Sequence, residues 1–103
     1  MEFRPSKLCR FKLGQIVLTP GAITALEEAG QQPAEFLARH VTGDWGDLGQ
    51  DDKQSNNAAI AHEGDVSRQE RILSSYKTAS GVKIWIITEC DRSVTTLLLP
   101  DEY

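Results

Sequence analysis

The sequence predicts an α+β domain: a three- to four-stranded antiparallel sheet, mostly a carboxyl-terminal meander, packed with two to three helices inserted after a first strand. Three observations predict it. Runs 71–78, 82–89 and 94–99 are rich in branched and aromatic residues and are separated by the turn segments 79–81 and 90–93. Between residues 20 and 61 the signals are instead those of helix starts and stops. The chain has 103 residues, 40% of them hydrophobic, enough to bury one core but not two.

The chain opens with a stretch, residues 1–13, in which Arg4, Lys7, Arg10 and Lys12 outweigh Glu2 by three charges and which contains Pro5. It is expected to be a basic flexible arm ahead of a single domain over 14–103. Residues 14–18 read as the first strand. Thr19 is placed to cap a helix over 20–29, with Pro20 at its first position and Gly30 as its left-handed stop, and Ile23 and Leu26 are expected to face inward. A second helix should run from Pro33 to near Gly43, with Phe36, Leu37, His40 and Val41 on one face and His40 at the edge of that apolar stripe. Residues 43–49 hold three glycines, two aspartates and Trp45, the composition of a turn-rich loop pinned by Trp45 and Leu48. Asp51, with Gln54 three residues on, fits a capping box for a third helix that breaks near Gly64.

In the middle run of the meander, Val82, Ile84 and Ile86 alternate with Trp85 and Ile87, and a strand apolar on both faces is central in its sheet. Trp85, Ile86 and Leu98 are expected in the core. Cys90 after that run reads as a small buried hydrophobe. Two cysteines, Cys9 and Cys90, lack the closely spaced ligand pairs of a zinc cage, and no phosphate loop or metalloprotease motif is present, so no cofactor and no metal are expected. The longest apolar runs are far below the roughly 20 residues of a membrane helix, and no signal-peptide core is seen, so the expectation is a cytoplasmic protein without membrane contact.

Two groups of residues are candidates for function. The first is acidic: Asp44, Asp47, Asp51, Asp52, Glu63 and Asp65 against Lys53 give minus five over 44–65, a surface suited to a basic protein partner, with Trp45 beside it. Each carboxylate also has a local structural task available, in turns or at a helix start. The second joins His40 to Arg92, Ser93, Thr95 and Thr96: an imidazole base and a guanidinium beside hydroxyl donors resemble a metal-independent ribonuclease site. Its plain alternative is a tight turn with Arg92 paired to Asp91 or Glu89 and a half-buried His40. The net charge of −4 opposes nucleic acid and favours the protein partner. Trp45, Trp85, Tyr76 and Tyr103 read as core aromatics before interface anchors. Oligomeric state is not encoded in any of these features.

Residues 36–40 running into 43–48, and residues 83–89 continuing through 91–96 to 99–103, resemble a family of small bacterial proteins carried on plasmids, integrated elements and phages. The similarity extends from about Gly14 to Tyr103. Members go by "plasmid-related protein" or "type I restriction endonuclease subunit M", and the resemblance implies an accessory or counter-defence role. The second label does not fit a methyltransferase, which needs a large α/β domain, an Asn-Pro-Pro-Tyr-like motif and a deep pocket for an extruded base.

Overall fold

The computed structural model describes residues 9–65 and 69–103. The chain runs β1 (Gln15–Leu18), α1 (Pro20–Ala29), α2 (Pro33–Val41), α3 (Gln50–Ala61), β2 (Ile72–Lys77), β3 (Lys83–Thr88), β4 (Val94–Leu98) and a closing 3-10 turn at Pro100–Glu102. One four-stranded sheet has the order β1-β4-β3-β2, so the expected α+β architecture is present and β3 is central. The meander is antiparallel, whereas β1 joins β4 in parallel, with Gln15 opposite Val94 and Leu18 opposite Leu97. Three helices lie between β1 and the meander, a connection long enough for the chain to re-enter the sheet from the same end.

The local signals account for most boundaries. Thr19 Oγ1 accepts from the Ala22 amide at 3.3 Å, and Gly30 ends α1 in the left-handed region at φ 66°. Ala22, Ala25 and Leu26 are the buried face of α1; Ile23, expected inward, is 45% exposed. α3 begins one residue before the expected cap: Gly49 is its N-cap, with no side-chain bond, and Asp51 and Asp52 sit in the first turn, where the positive end of the helix dipole favours them.

Strand alternation sorts the core. Ile72, Ser74 and Tyr76 of β2, Ile84, Ile86 and Thr88 of β3, and Thr95 and Leu97 of β4 share one face and are all buried. Leu26, Phe36, Leu37, His40 and Val41 of the helices join Ile84, Ile86 and Leu97 in one cluster with them. Trp85, expected in the core, lies half-buried on the opposite face beside the ring of Tyr103, while Ile86 and Leu98 are buried. Residues 1–8 of the expected arm lie outside the described residues; the remainder is tied down, for Phe11 and Leu13 belong to the core cluster and the Arg10 amide bonds the Val41 carbonyl at 2.9 Å. The packing boundary of the domain therefore falls before residue 11, because two alternate apolar side chains there have core to bury into.

The outer edge of β2 is covered. The Asn56 side chain donates to the Leu73 carbonyl at 2.6 Å and accepts the Leu73 amide at 3.1 Å, imitating a neighbouring strand. Ser75 is bridged to Gly46, its amide donating to Trp45 and its carbonyl accepting from Asp47. Gly46 is required at this contact: its φ is 72°, and a Cβ would stand 2.1 Å from the Ser75 carbonyl oxygen.

Candidate functional site

His40 is fully buried, not half-buried, and both ring nitrogens are engaged. Nδ1 lies 2.5 Å from Ser74 Oγ and Nε2 2.9 Å from Thr88 Oγ1; Thr88 Oγ1 is 2.8 Å from Thr95 Oγ1, which donates to the Leu13 carbonyl at 2.6 Å. The last acceptor fixes the direction of the whole chain. A carbonyl can only accept, so Thr95 gives its proton to Leu13 and receives one from Thr88, and Thr88 in turn receives the Nε2 proton of His40. Nδ1 is left as an acceptor for the Ser74 hydroxyl, so the network requires the neutral Nε2–H tautomer. Burial, reinforced by the positive charge of Arg92, pushes the imidazole down to about 3.

Arg92 is the second inward-turned group. It is buried at a left-handed backbone position, φ 60°. Its partner is Glu63, at 2.7 Å, rather than Asp91 or Glu89, and its guanidinium also donates to the carbonyls of Glu70 (2.7 Å), Glu89 (3.1 Å) and Cys90 (3.4 Å). It thereby clamps the turn after β3 to the stretch between α3 and β2. Phe11 touches both candidate residues: its ring centroid is 5.7 Å from the Arg92 guanidinium carbon and 5.2 Å from the His40 ring. Ser93 bonds Asp91 through both its amide and its hydroxyl, which holds the Asp91 carboxyl below the usual range. Thr95 is buried in the network just described and Thr96 lies on the opposite face. A general base must reach the proton it takes, and neither ring nitrogen of His40 is open to solvent or unoccupied.

The acidic residues divide in two. Asp44 is bound to Arg39 at 2.7 Å, a hydrogen bond that holds its carboxyl below the ordinary value, and its backbone carbonyl accepts the Tyr76 hydroxyl at 2.6 Å. Arg39 in turn lies 4.4 Å over the Tyr76 ring, and burial raises the Tyr76 phenol. Glu63 belongs to Arg92. Asp47, Asp51 and Asp52 are exposed on one loop and helix corner, Asp47 at 3.9 Å from Lys77. A shallow pocket of about 390 Å³ lies beside them, bounded by Arg39, Asp44, Asp47, Tyr76 and Lys77. Within this corner Arg39, Lys53 and Lys77 offset three of the four charges of Asp44, Asp47, Asp51 and Asp52, so its net is minus one. Trp45, a candidate beside the acidic surface that also reads as a core aromatic, lies in the core: it is 4% exposed, stacked 6.3 Å from Phe11 with its Nε1 donating to Asn57 at 3.0 Å.

Compared with known protein families, curated proteins and solved structures, the chain matches none.

A larger open groove of about 830 Å³ is lined by Arg10, Phe11, Leu13, Ile16, Gln69 and Asp91 among others. Cys9 is half-buried at its rim, and Cys90, expected to be buried, is exposed at the turn end, where its carbonyl accepts from Gln69 and Arg92. Among the described residues no three His, Cys, Asp or Glu side chains are grouped as a metal ion would require, and no helix is long and apolar enough to cross a membrane. Sequence reasoning missed the partners of His40 and Arg92. A signal for the first existed: Ser74 and Thr88 are hydroxyls at inward positions of otherwise apolar strands, where a buried polar group needs another polar group. Glu63 gave none, being 29 residues from Arg92 and on another element.

Proposed function

We propose that this chain is a small non-catalytic binding protein that occupies the surface of a basic protein partner through the corner carrying Asp47, Asp51 and Asp52. One observation carries the reading: His40, Arg92 and Thr95 are turned inward and satisfied within the fold, whereas these three carboxylates are exposed together. A buried, neutral imidazole with both nitrogens bonded supports the fold and offers no base to a substrate. The corner is also rigidly mounted, with Trp45 anchored beneath it and Ser75 bridged to Gly46. A preorganised loop loses less conformational freedom on binding. The resemblance to plasmid- and phage-borne proteins supports an accessory or counter-defence setting for such a partner.

The test compares immobilised wild type with an Asp47→Lys, Asp52→Lys double variant in host extract. Both positions are exposed, so the variant should stay folded, losing only about 0.3 to 1 kcal/mol for a cation at the start of α3. Basic proteins retained by the wild type should be lost from the variant, and retention should fall as salt rises from about 50 to 300 mM. Equal retention by both proteins would remove the acidic corner from the mechanism.

A further inference from the structure

The two edges of the sheet are treated in opposite ways, and the contrast points to a second interaction surface. On β2 the outward backbone groups of Leu73 and Ser75 are met by Asn56, Trp45 and Asp47. On β1 they are not. The amides of Gln15 and Thr19 bond Ser93 and Leu97 beside β4, so by strand alternation the amides and carbonyls of Ile16 and Leu18 turn to the other side, where no described residue meets them. The strand, Gln-Ile-Val-Leu, also carries none of the usual guards of an open edge: no charge, no proline, no bulge. Val17, on the face away from the helices, is 39% exposed.

We propose that β1 pairs antiparallel with β1 of a second copy of this chain across a two-fold axis, making one eight-stranded sheet. Only Ile16 and Leu18 offer outward groups, so the hydrogen-bonded pairs are Ile16 with Leu18 of the partner and the reverse, which places Val17 opposite the partner's Val17 on the axis. That register uses all the outward groups of the strand and covers the exposed valine with its own copy. Charge argues for the same occupant. Antiparallel pairing brings the exposed Lys12 ahead of one β1 toward the end of the other, where the exposed Glu102 carboxylate is fixed by the Thr19 hydroxyl at 2.5 Å and the Gly21 amide at 3.1 Å. A lysine at one end and a carboxylate at the other make the edge self-complementary, which a two-fold contact requires. Four residues a side is a small interface, so the association should be weak and concentration-dependent.

Sedimentation velocity over a concentration series should show the mass rising from one 11.4 kDa chain toward twice that value. Val17→Lys sets like charges face to face on the axis without touching the core and should abolish the rise; Lys12→Glu should weaken it severalfold. In a Cys9→Ser, Cys90→Ser background, Val17→Cys should cross-link to its copy under mild oxidation, because a non-hydrogen-bonded antiparallel pair has its Cα atoms about 4.5 Å apart, within disulfide reach. Ile23→Cys, equally exposed on α1, should not. A chain that stays monomeric to about 1 mM, a dimer indifferent to Val17→Lys, or a dimer in which Val17→Cys fails to cross-link would each overturn the proposal.

Discussion

Lowering the pH from 7 to 4.5 should weaken the buried His40 network. The imidazole titrates near 6.5 in the unfolded chain and about 3 in the fold. A base whose folded value is depressed takes up its proton more readily when unfolded, so its contribution to stability is whole at neutral pH and is lost as pH falls below 6.5. The full difference, about 3.5 units, corresponds to about 5 kcal/mol, reached only below pH 3; between pH 6.5 and 4.5 the loss is about 2 kcal/mol. For a domain of this size that is a fall in Tm of roughly 8 to 16 °C. The carboxyls of Asp44, Asp91 and Glu102 are held low by their partners, so their stabilisation begins to be lost only as pH falls toward about 4.5, which leaves the window above that to His40. Urea titrations at half-unit intervals, followed through tryptophan emission, would measure the slope; Trp45 is a direct reporter, its ring 6.0 Å from that of His40. His40→Gln can donate to Thr88 but leaves the Ser74 hydroxyl without an acceptor, costing about 1 to 3 kcal/mol at pH 7. That gap should close near pH 4.5, because the glutamine does not titrate. Parallel stability curves for wild type and variant across the window would refute the assignment of a neutral, buried imidazole.

Three further outcomes follow from the packing. Arg92→Lys keeps the charge beside Glu63 but cannot also serve three carbonyls, and should cost about 1 to 3 kcal/mol in urea unfolding through the bonds lost to those carbonyls. Ile86→Ala, in the central strand and wholly buried, should cost about 2 to 5 kcal/mol by the same measurement. Asn56→Ala should cost about 1 to 3 kcal/mol and, by uncovering the β2 edge, raise concentration-dependent light scattering at temperatures where the wild type stays clear.

Local signals carried the fold because each acts over a few residues. Thr19, Pro20 and Gly30 bracket α1, and the alternation around Trp85 marks a strand with two apolar faces. Hydrophobic periodicity names a face but not what lies against it, so it points Ile23 inward although Ala22, Ala25 and Leu26 are the residues that α1 buries. The parallel entry of β1 is a property of the long connection and leaves no local trace. The site was harder still. His40 and Arg92 were found as residues, but whether a polar group faces solvent or another polar group depends on partners 34, 48 and 29 residues away. The acidic run likewise sums to minus five along the chain, while folding sets Arg39 and Lys77 beside Asp44 and Asp47 and reduces the charge that a partner meets.

The buried network also explains why the amino-terminal segment belongs to the domain. Leu13 supplies the carbonyl at the end of the run of hydroxyls, so the proton arrangement from Ser74 through His40, Thr88 and Thr95 is complete only while that segment is docked. Remove the carbonyl and Thr95 has a buried donor without an acceptor, a cost of about 1 to 3 kcal/mol. Phe11 reinforces the linkage, since its ring packs against His40 on one contact and Arg92 on another, joining the neutral network to the ionic clamp. Residues 11–13 thus bring together the two polar groups that the sequence offers as catalysts, and do so as packing: the phenyl ring excludes water from the imidazole, and the loss of hydration is the larger of the two causes that keep His40 uncharged.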